Sequence, residues 1–372
     1  MKELDDVLSA SEDGEQRGDA CLLATLVKVE GSSYRRAGAR LLLNSSGERT
    51  GAVSGGCLEA EIARKAWWLT EQGPKLKTYN TASDGDAGMP FGLGCSGVLH
   101  VLMQRVGEEE NALLAHLRQL RKQRIRSAIA TVISGPSIGA QRIFPVIERN
   151  NTERPMIKVL AHQRVEEALQ RAANTETSEY LQFDESEIFI EALPLAQRLV
   201  IFGAGDDAKP LVKFASLLGW HVVVADGRAH MATRPRFPDA NEVKSAPPGE
   251  LPASCSVADQ DAVVLMTHSY PQDRALMVQL LDRPLRYLGL LGPRQRTRRI
   301  LEEINPSRKQ AHASLHAPIG LDIGAHTPET IALAIIAEIQ SVLSSRLQKS
   351  RLEGTEACEF GALPEPASSN SF

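Results

Sequence analysis

Residues 198–228 read RLVIFGAGDDAKPLVKFASLLGWHVVVADGR. A short apolar run enters a glycine-rich turn. Apolar residues at helical spacing follow, and then a second β-branched run, HVVVAD. Gly203 and Gly205 fit the first two glycines of a dinucleotide-type fingerprint, with Ala208 at the third position. Asp226 ends the second strand, at the distance expected for a ribose contact. Gly205 would let the backbone approach a pyrophosphate at a helix N-terminus. The expectation is a Rossmann-type parallel sheet. The ligand does not follow from the fold. Asp206 and Asp207 stand where a phosphate would approach, which weighs against a plain NAD site. A nucleotide fold that binds something else, or nothing, stays open.

Outward from this stretch the alternation continues. DAVVLMTH and YLGLLG read as strands, and PQDRALMVQLLD and RQRTRRILEEIN as helices. Apolar strands separated by helices imply a parallel sheet with right-handed crossovers. His268 ends one strand at the carboxyl edge, where such folds bind ligands, and Asp273 follows a turn later. A structural histidine capping the next loop reads equally well. The loop APIGLDIGAHTPET, with Asp322, either lines a cleft or shapes a turn. It leads into a helix starting at Pro328, with Thr327 as N-cap and Glu329 at the positive helix end.

Toward the start of the chain the pattern changes. Cys21 to Glu30 reads as a strand, ARLLLNSSGERTGAVSG as a hairpin, and Leu58 to Thr70 as a helix with Leu58, Ile62, Ala66 and Leu69 on one face. PKLKTYN and GVLHVLMQRV read as further strands. The expected organisation is a mixed α+β domain at 1–105, a middle α/β section at 106–197 that completes it, a Rossmann-like domain at 198–351 and a disordered tail at 352–372. The fold class is α/β.

Composition bounds the function. The 372 residues exceed one ordinary core. Hydrophobic residues make up 42% and charged residues 24%, as in soluble globular proteins. A net charge of -4 points to neither nucleic acid nor an acidic membrane. The acidic opening stretch has no apolar core of a signal peptide. The five cysteines (Cys21, Cys57, Cys95, Cys255 and Cys358) are scattered, with no CxxC pair. That argues against a disulfide framework or structural zinc, and for a cytoplasmic location.

Two stretches of the first domain carry chemistry. GSSYRRAGARLLL offers Arg35, Arg36 and Arg40 to an anion such as phosphate, although a solvated turn would read the same if it stood alone. AVSGGCLEAEI places Cys57 after Gly55 and Gly56 and directly before a helix. A helix N-terminus favours the thiolate, and a soft thiolate suits a soft or high-valent metal or serves as a nucleophile. A buried apolar cysteine is the plainer reading. Cys95, in FGLGCSG, is a second glycine-framed cysteine and reads first as a turn cysteine.

Together with LVIFGAGDDAKPLVKFASLLGWHVVVADGR, VVLMTHSYPQDRALM, YLGLLGPRQRTRRI and PIGLDIGAHTPETIALAIIAEI, these stretches keep an order that resembles the xanthine dehydrogenase accessory proteins of the XdhC/CoxI type. Tyr34 and Ala37 stand where that family often has prolines. The resemblance implies a chaperone, not a metabolic enzyme. Such a chaperone binds the molybdenum cofactor (molybdopterin), protects it during sulfuration, and delivers it to a xanthine dehydrogenase-like or carbon monoxide dehydrogenase-like molybdoenzyme. It also implies a homodimer and a cysteine desulfurase partner. On this reading Arg35, Arg36, Arg40, Gly55, Gly56, Cys57, Cys95, Gly203, Gly205, Asp226, His268 and Asp322 are the cofactor-binding candidates, with Cys57 the candidate molybdenum contact and a nucleotide possible at the Rossmann domain. The alternatives are an NAD(P)-dependent oxidoreductase, for which His268 is the one evident general acid, and a docking adaptor whose nucleotide fold is inactive.

Overall fold

The computed structural model describes residues 2–56, 58–81, 97–145, 157–304 and 314–344. The chain divides into two compact units between Ala196 and Gln197.

In the first unit the elements run α1 (Lys2–Arg17), β1 (Cys21–Gly31), β2 (Arg40–Asn44), β3 (Arg49–Gly51), α2 (Glu59–Leu69), β4 (Lys75–Asn80), β5 (Gly97–Val106), α3 (Glu108–Lys122), β6 (Ser127–Val132), β7 (Gln141–Phe144), α4 (Gln163–Thr175), β8 (Glu179–Gln182) and β9 (Glu187–Leu193). They form two sheets, β3-β2-β1-β5-β4 and β7-β6-β9-β8. Every pairing in both is antiparallel.

The period-2 alternation of β1 sorts its side chains between two cores. Leu22, Ala24 and Leu26 pack with Ile62 and Ala66 of α2, while Cys21 and Leu23 join Val7 and Leu8 of α1 and Leu114, Leu117 and Leu120 of α3. The second sheet buries its other face under Val165, Leu169 and Ala172 of α4. The sequence pattern predicts no element over residues 2–17. Their helix has a narrow apolar face, Val7 and Leu8 with Ser11 and Gly14, amid many charges, and it is burial against α3 and β2 that reveals it.

The second unit continues with β10 (Arg198–Phe202), α5 (Ala208–Leu217), β11 (His221–Asp226), β12 (Glu242–Ser245), α6 (Leu251–Ser254), β13 (Ala262–Leu265), α7 (Tyr270–Leu280), β14 (Tyr287–Leu290), α8 (Arg294–Ile304), β15 (Leu315–His316) and α9 (Pro328–Leu343). One sheet runs β12-β11-β10-β13-β14-β15, all parallel. Counted from β10, this is the 3-2-1-4-5-6 order of a Rossmann fold. Leu199, Ile201, Val222 and Val224 face α5 and α9, and Val200, Phe202, Val223 and Val263 face α7 and α8. Thr327 caps α9, its hydroxyl accepting the Thr330 amide at 3.3 Å.

Candidate functional site

The first unit gathers the arginine loop into a cavity. The loop between β1 and β2 lines a pocket of about 270 Å³ with Arg35, Arg36 and Arg40, and α3 adds Arg121. Arg40 is held from within. Its guanidinium donates to both oxygens of Glu191 on β9, at 2.8 and 2.5 Å, and to the Gly38 carbonyl at 2.7 Å. Both side chains of this pair are buried, at 7% and 8% exposure. Arg35 donates to Glu3 at 2.8 Å, while its Nε is buried without a hydrogen-bond partner among the described residues. Arg36 is exposed, and among the described residues its side chain has no ion-pair partner.

The glycine loop lies beside this pocket. Glu3 accepts the Ala52 amide through its other oxygen at 2.8 Å, so one carboxylate joins the arginine loop to the head of AVSGG. A Cβ on Gly55 would stand 3.7 Å from the Tyr34 ring. The loop itself is tied by Glu59, which accepts the Val53 amide (3.0 Å), the Ser54 amide (2.8 Å) and the Ser54 hydroxyl (2.6 Å). Burial works against the charge of Glu59. The hydrogen bonds from Ser54 and Val53 outweigh it and hold the carboxyl below the usual range. The Ser54 hydroxyl accepts the Gly56 and Leu58 amides, each at 3.2 Å, and so serves the first free N–H groups ahead of α2. Cys57 and Cys95 lie outside the described residues. The segment that holds Cys95 is flanked by Thr81 and Gly97, which are bonded to each other: the Thr81 amide donates to the Gly97 carbonyl at 2.9 Å. Cys21 and Cys255 are free and buried, and burial pushes both thiols up, away from the reactive thiolate.

The second unit places Gly203, Gly205, Asp226 and His268 together at the carboxyl ends of β10, β11 and β13, where the strand order reverses. Gly203 has φ +124°, and a Cβ there would strike the Met266 carbonyl, so only glycine fits between the two central strands. Gly205 is covered by its own neighbour. A Cβ on it would collide with the Asp207 carboxylate, which is bonded to His268 Nε2 at 2.7 Å. His268 has left-handed backbone, φ 57°, and its side chain is 61% exposed. Asp206 pairs with Lys209 at 2.7 Å and Arg236 at 3.0 Å. The hydrogen bond from Lys209 leads in lowering the Asp206 carboxyl. Asp226 accepts the Ala204 amide (2.8 Å), the Arg228 amide (2.8 Å) and the Arg228 guanidinium (3.0 and 2.8 Å), so both of its oxygens are engaged within the unit. Burial opposes its charge, but these donors keep its carboxyl below the usual range. Asp322 is exposed, in a loop tied at its base by the Gly320 amide donating to Glu338 at 2.8 Å.

Glu3, Glu59, Arg121, Glu191, Arg228 and Arg236 were not singled out in the sequence. The one local signal was Glu59, an acid in the first turn of the helix that follows a glycine loop. Arg228 reaches Asp226 from two residues on, and the remaining four are brought in by elements remote in sequence.

Among the described residues, no group of three or more His, Cys, Asp or Glu side chains is arranged to hold a metal ion. Nor is any described helix long and apolar enough to cross a membrane.

Residues 199–339 match the family model of the XdhC Rossmann domain, and residues 15–80 match that of the XdhC and CoxI family. A Bacillus subtilis (strain 168) protein described as a probable xanthine dehydrogenase subunit is 32% identical, the match covering 86% of this chain and 92% of that protein. The molybdenum cofactor insertion chaperone PaoD of Escherichia coli (strain K12) is 26% identical over 87% of this chain and 84% of its own. A crystal structure described as a xanthine dehydrogenase from Bacillus halodurans superposes with a TM-score of 0.73 at 29% identity, covering 93% of this chain and 98% of that chain.

Proposed function

This chain belongs to the XdhC and CoxI family, and from that premise we propose that it is a maturation factor that binds the molybdenum cofactor, shelters it while sulfur is installed, and hands it to a xanthine dehydrogenase-like or carbon monoxide dehydrogenase-like molybdoenzyme. The likeness to the insertion chaperone PaoD supports the class of cargo. The observation that carries the reading is the junction made by Glu3 between Arg35 and the Ala52 amide, which sets an arginine cavity beside the glycine loop that leads to Cys57.

The cargo has a phosphate at one end and a thiophilic metal at the other. The residues present suit both ends. Arg36 and the guanidinium of Arg35 are donors for the phosphate, and Gly55 and Gly56 leave room for a ligand to approach the backbone before Cys57. Arg40 acts through Glu191, holding the loop that carries Arg35 and Arg36. Cys57 is the proposed molybdenum contact, and Cys95 is a further cofactor-binding candidate. The reading includes a cysteine desulfurase as sulfur source, a homodimer and a cytoplasmic location. Gly203, Gly205, Asp226, His268 and Asp322 are the candidates of the Rossmann unit, where a nucleotide would have to displace Asp207 from Gly205 and Arg228 from Asp226.

The test is purification under anaerobic, reducing conditions from a host that makes the cofactor, followed by metal and pterin analysis. Molybdenum and pterin in equal amounts are expected, with molybdenum lost in a folded Cys57→Ser variant. Protein free of both, from a host that loads PaoD in parallel, overturns the reading. Full retention in Cys57→Ser removes that residue from the site.

A further inference from the structure

The first turn of α1 sets two carboxylates against arginines that line the cavity. Glu3 takes Arg35 and the Ala52 amide, and Asp5 takes Arg121 in a two-point pair. Leu4 lines the cavity between them. With Arg40 committed to Glu191, a single helical turn neutralises two of the three remaining arginines and leaves Arg36 open. The two oxygens of Glu3 receive a guanidinium N–H and a backbone N–H. That donor set also suits two oxygens of a phosphate.

We propose that residues 3–5 are a built-in plug. Glu3 and Asp5 hold the places of phosphate oxygens, and a ligand of the phosphate-monoester class enters by displacing them and taking Arg35, Arg36, Arg121 and the Ala52 amide. The identity of that ligand rests on the cofactor reading above. The anchoring of α1 suits the role. Val7, Leu8, Ser11 and Gly14 are buried, so the later turns stay in the core while the first turn lifts. The plug pairs are also partly open to solvent, with Glu3 30% and Asp5 44% exposed. Ion pairs of this kind contribute little, so a doubly charged competitor displaces them readily.

The experiment titrates the full chain with inorganic phosphate by calorimetry, in a buffer free of other oxyanions. Wild type is compared with Glu3→Gln, Asp5→Asn and Arg36→Ala, each checked for an unchanged melting curve. Glu3→Gln and Asp5→Asn should each bind phosphate about fivefold more tightly, and Arg36→Ala about tenfold more weakly. Phosphate should also speed hydrogen exchange at the amides of Asp6, Val7 and Leu8, which bond to first-turn carbonyls in a helix. Equal affinity in wild type, Glu3→Gln and Asp5→Asn, with exchange unmoved, overturns the plug. If Arg36→Ala still weakens phosphate in that case, the cofactor pocket stands without a plug. If that effect is missing too, the arginine cavity is not the phosphate site.

Discussion

Arg40 and Glu191 form a buried, two-point ion pair that ties β2 to β9, elements 151 residues apart. Breaking one side of such a pair strands a charge, whereas replacing both with apolar groups removes the problem. Arg40→Ala should therefore lower stability by about 3–5 kcal/mol, and the double variant Arg40→Met/Glu191→Leu should recover most of it in urea denaturation. A double variant as unstable as the single one would show that the pair is not what Arg40 contributes. Glu59 is the second decisive residue. Glu59→Ala leaves two buried amides and a hydroxyl without their acceptor, at a cost of about 2 kcal/mol or more. The same variant should lose bound molybdenum, because the loop before Cys57 is no longer held. Retention equal to wild type in protein that still folds would separate the loop from the cargo.

At the scale of elements, β10 and β13 meet at Gly203. Its positive φ and its close approach to the Met266 carbonyl make Gly203→Ala costly, by at least about 1–3 kcal/mol. A thermal melt of that variant matching wild type would mean that the crossover relaxes around a Cβ. The edge strand β12 carries a pH response. The hydrogen bond from Lys244, helped by His221 and opposed by burial, brings the Glu242 carboxyl down to about 2. A depressed carboxyl stabilises above its ordinary value of 4.5 and loses that contribution as pH falls toward about 2. Wild type should be more stable than Glu242→Gln at neutral pH, with the gap closing across this window in acid denaturation. A gap independent of pH would assign the effect to packing.

For the molecule as a whole, the Rossmann unit has the sheet order of a dinucleotide fold but presents carboxylates at its phosphate turn. The purified protein should show no steady turnover of NADH or NADPH with small carbonyl or hydroxyl substrates, followed at the nicotinamide absorbance. Sustained turnover that disappears in His268→Ala would make it an oxidoreductase instead.

Much of this architecture was legible in the sequence because its signals are local. The run from Arg198 to Arg228 carries strand, turn, helix and strand within one stretch, and apolar strands alternating with helices admit little besides a parallel sheet. The glycine-framed cysteine and the arginine loop were visible for the same reason, as residue types at short spacing. Tertiary structure decided the remainder. It divided the strands of the first unit between two sheets, which β1 and β6, buried on both faces, do not signal in their pattern. It chose a partner for each charge: Glu191 for Arg40, Glu3 for Arg35, and Asp207 for His268 across 61 residues. Periodicity records which side of an element is apolar. The partner of a buried charge is set by what the fold brings within about 3 Å, so the division between committed and open arginines came only from the folded chain.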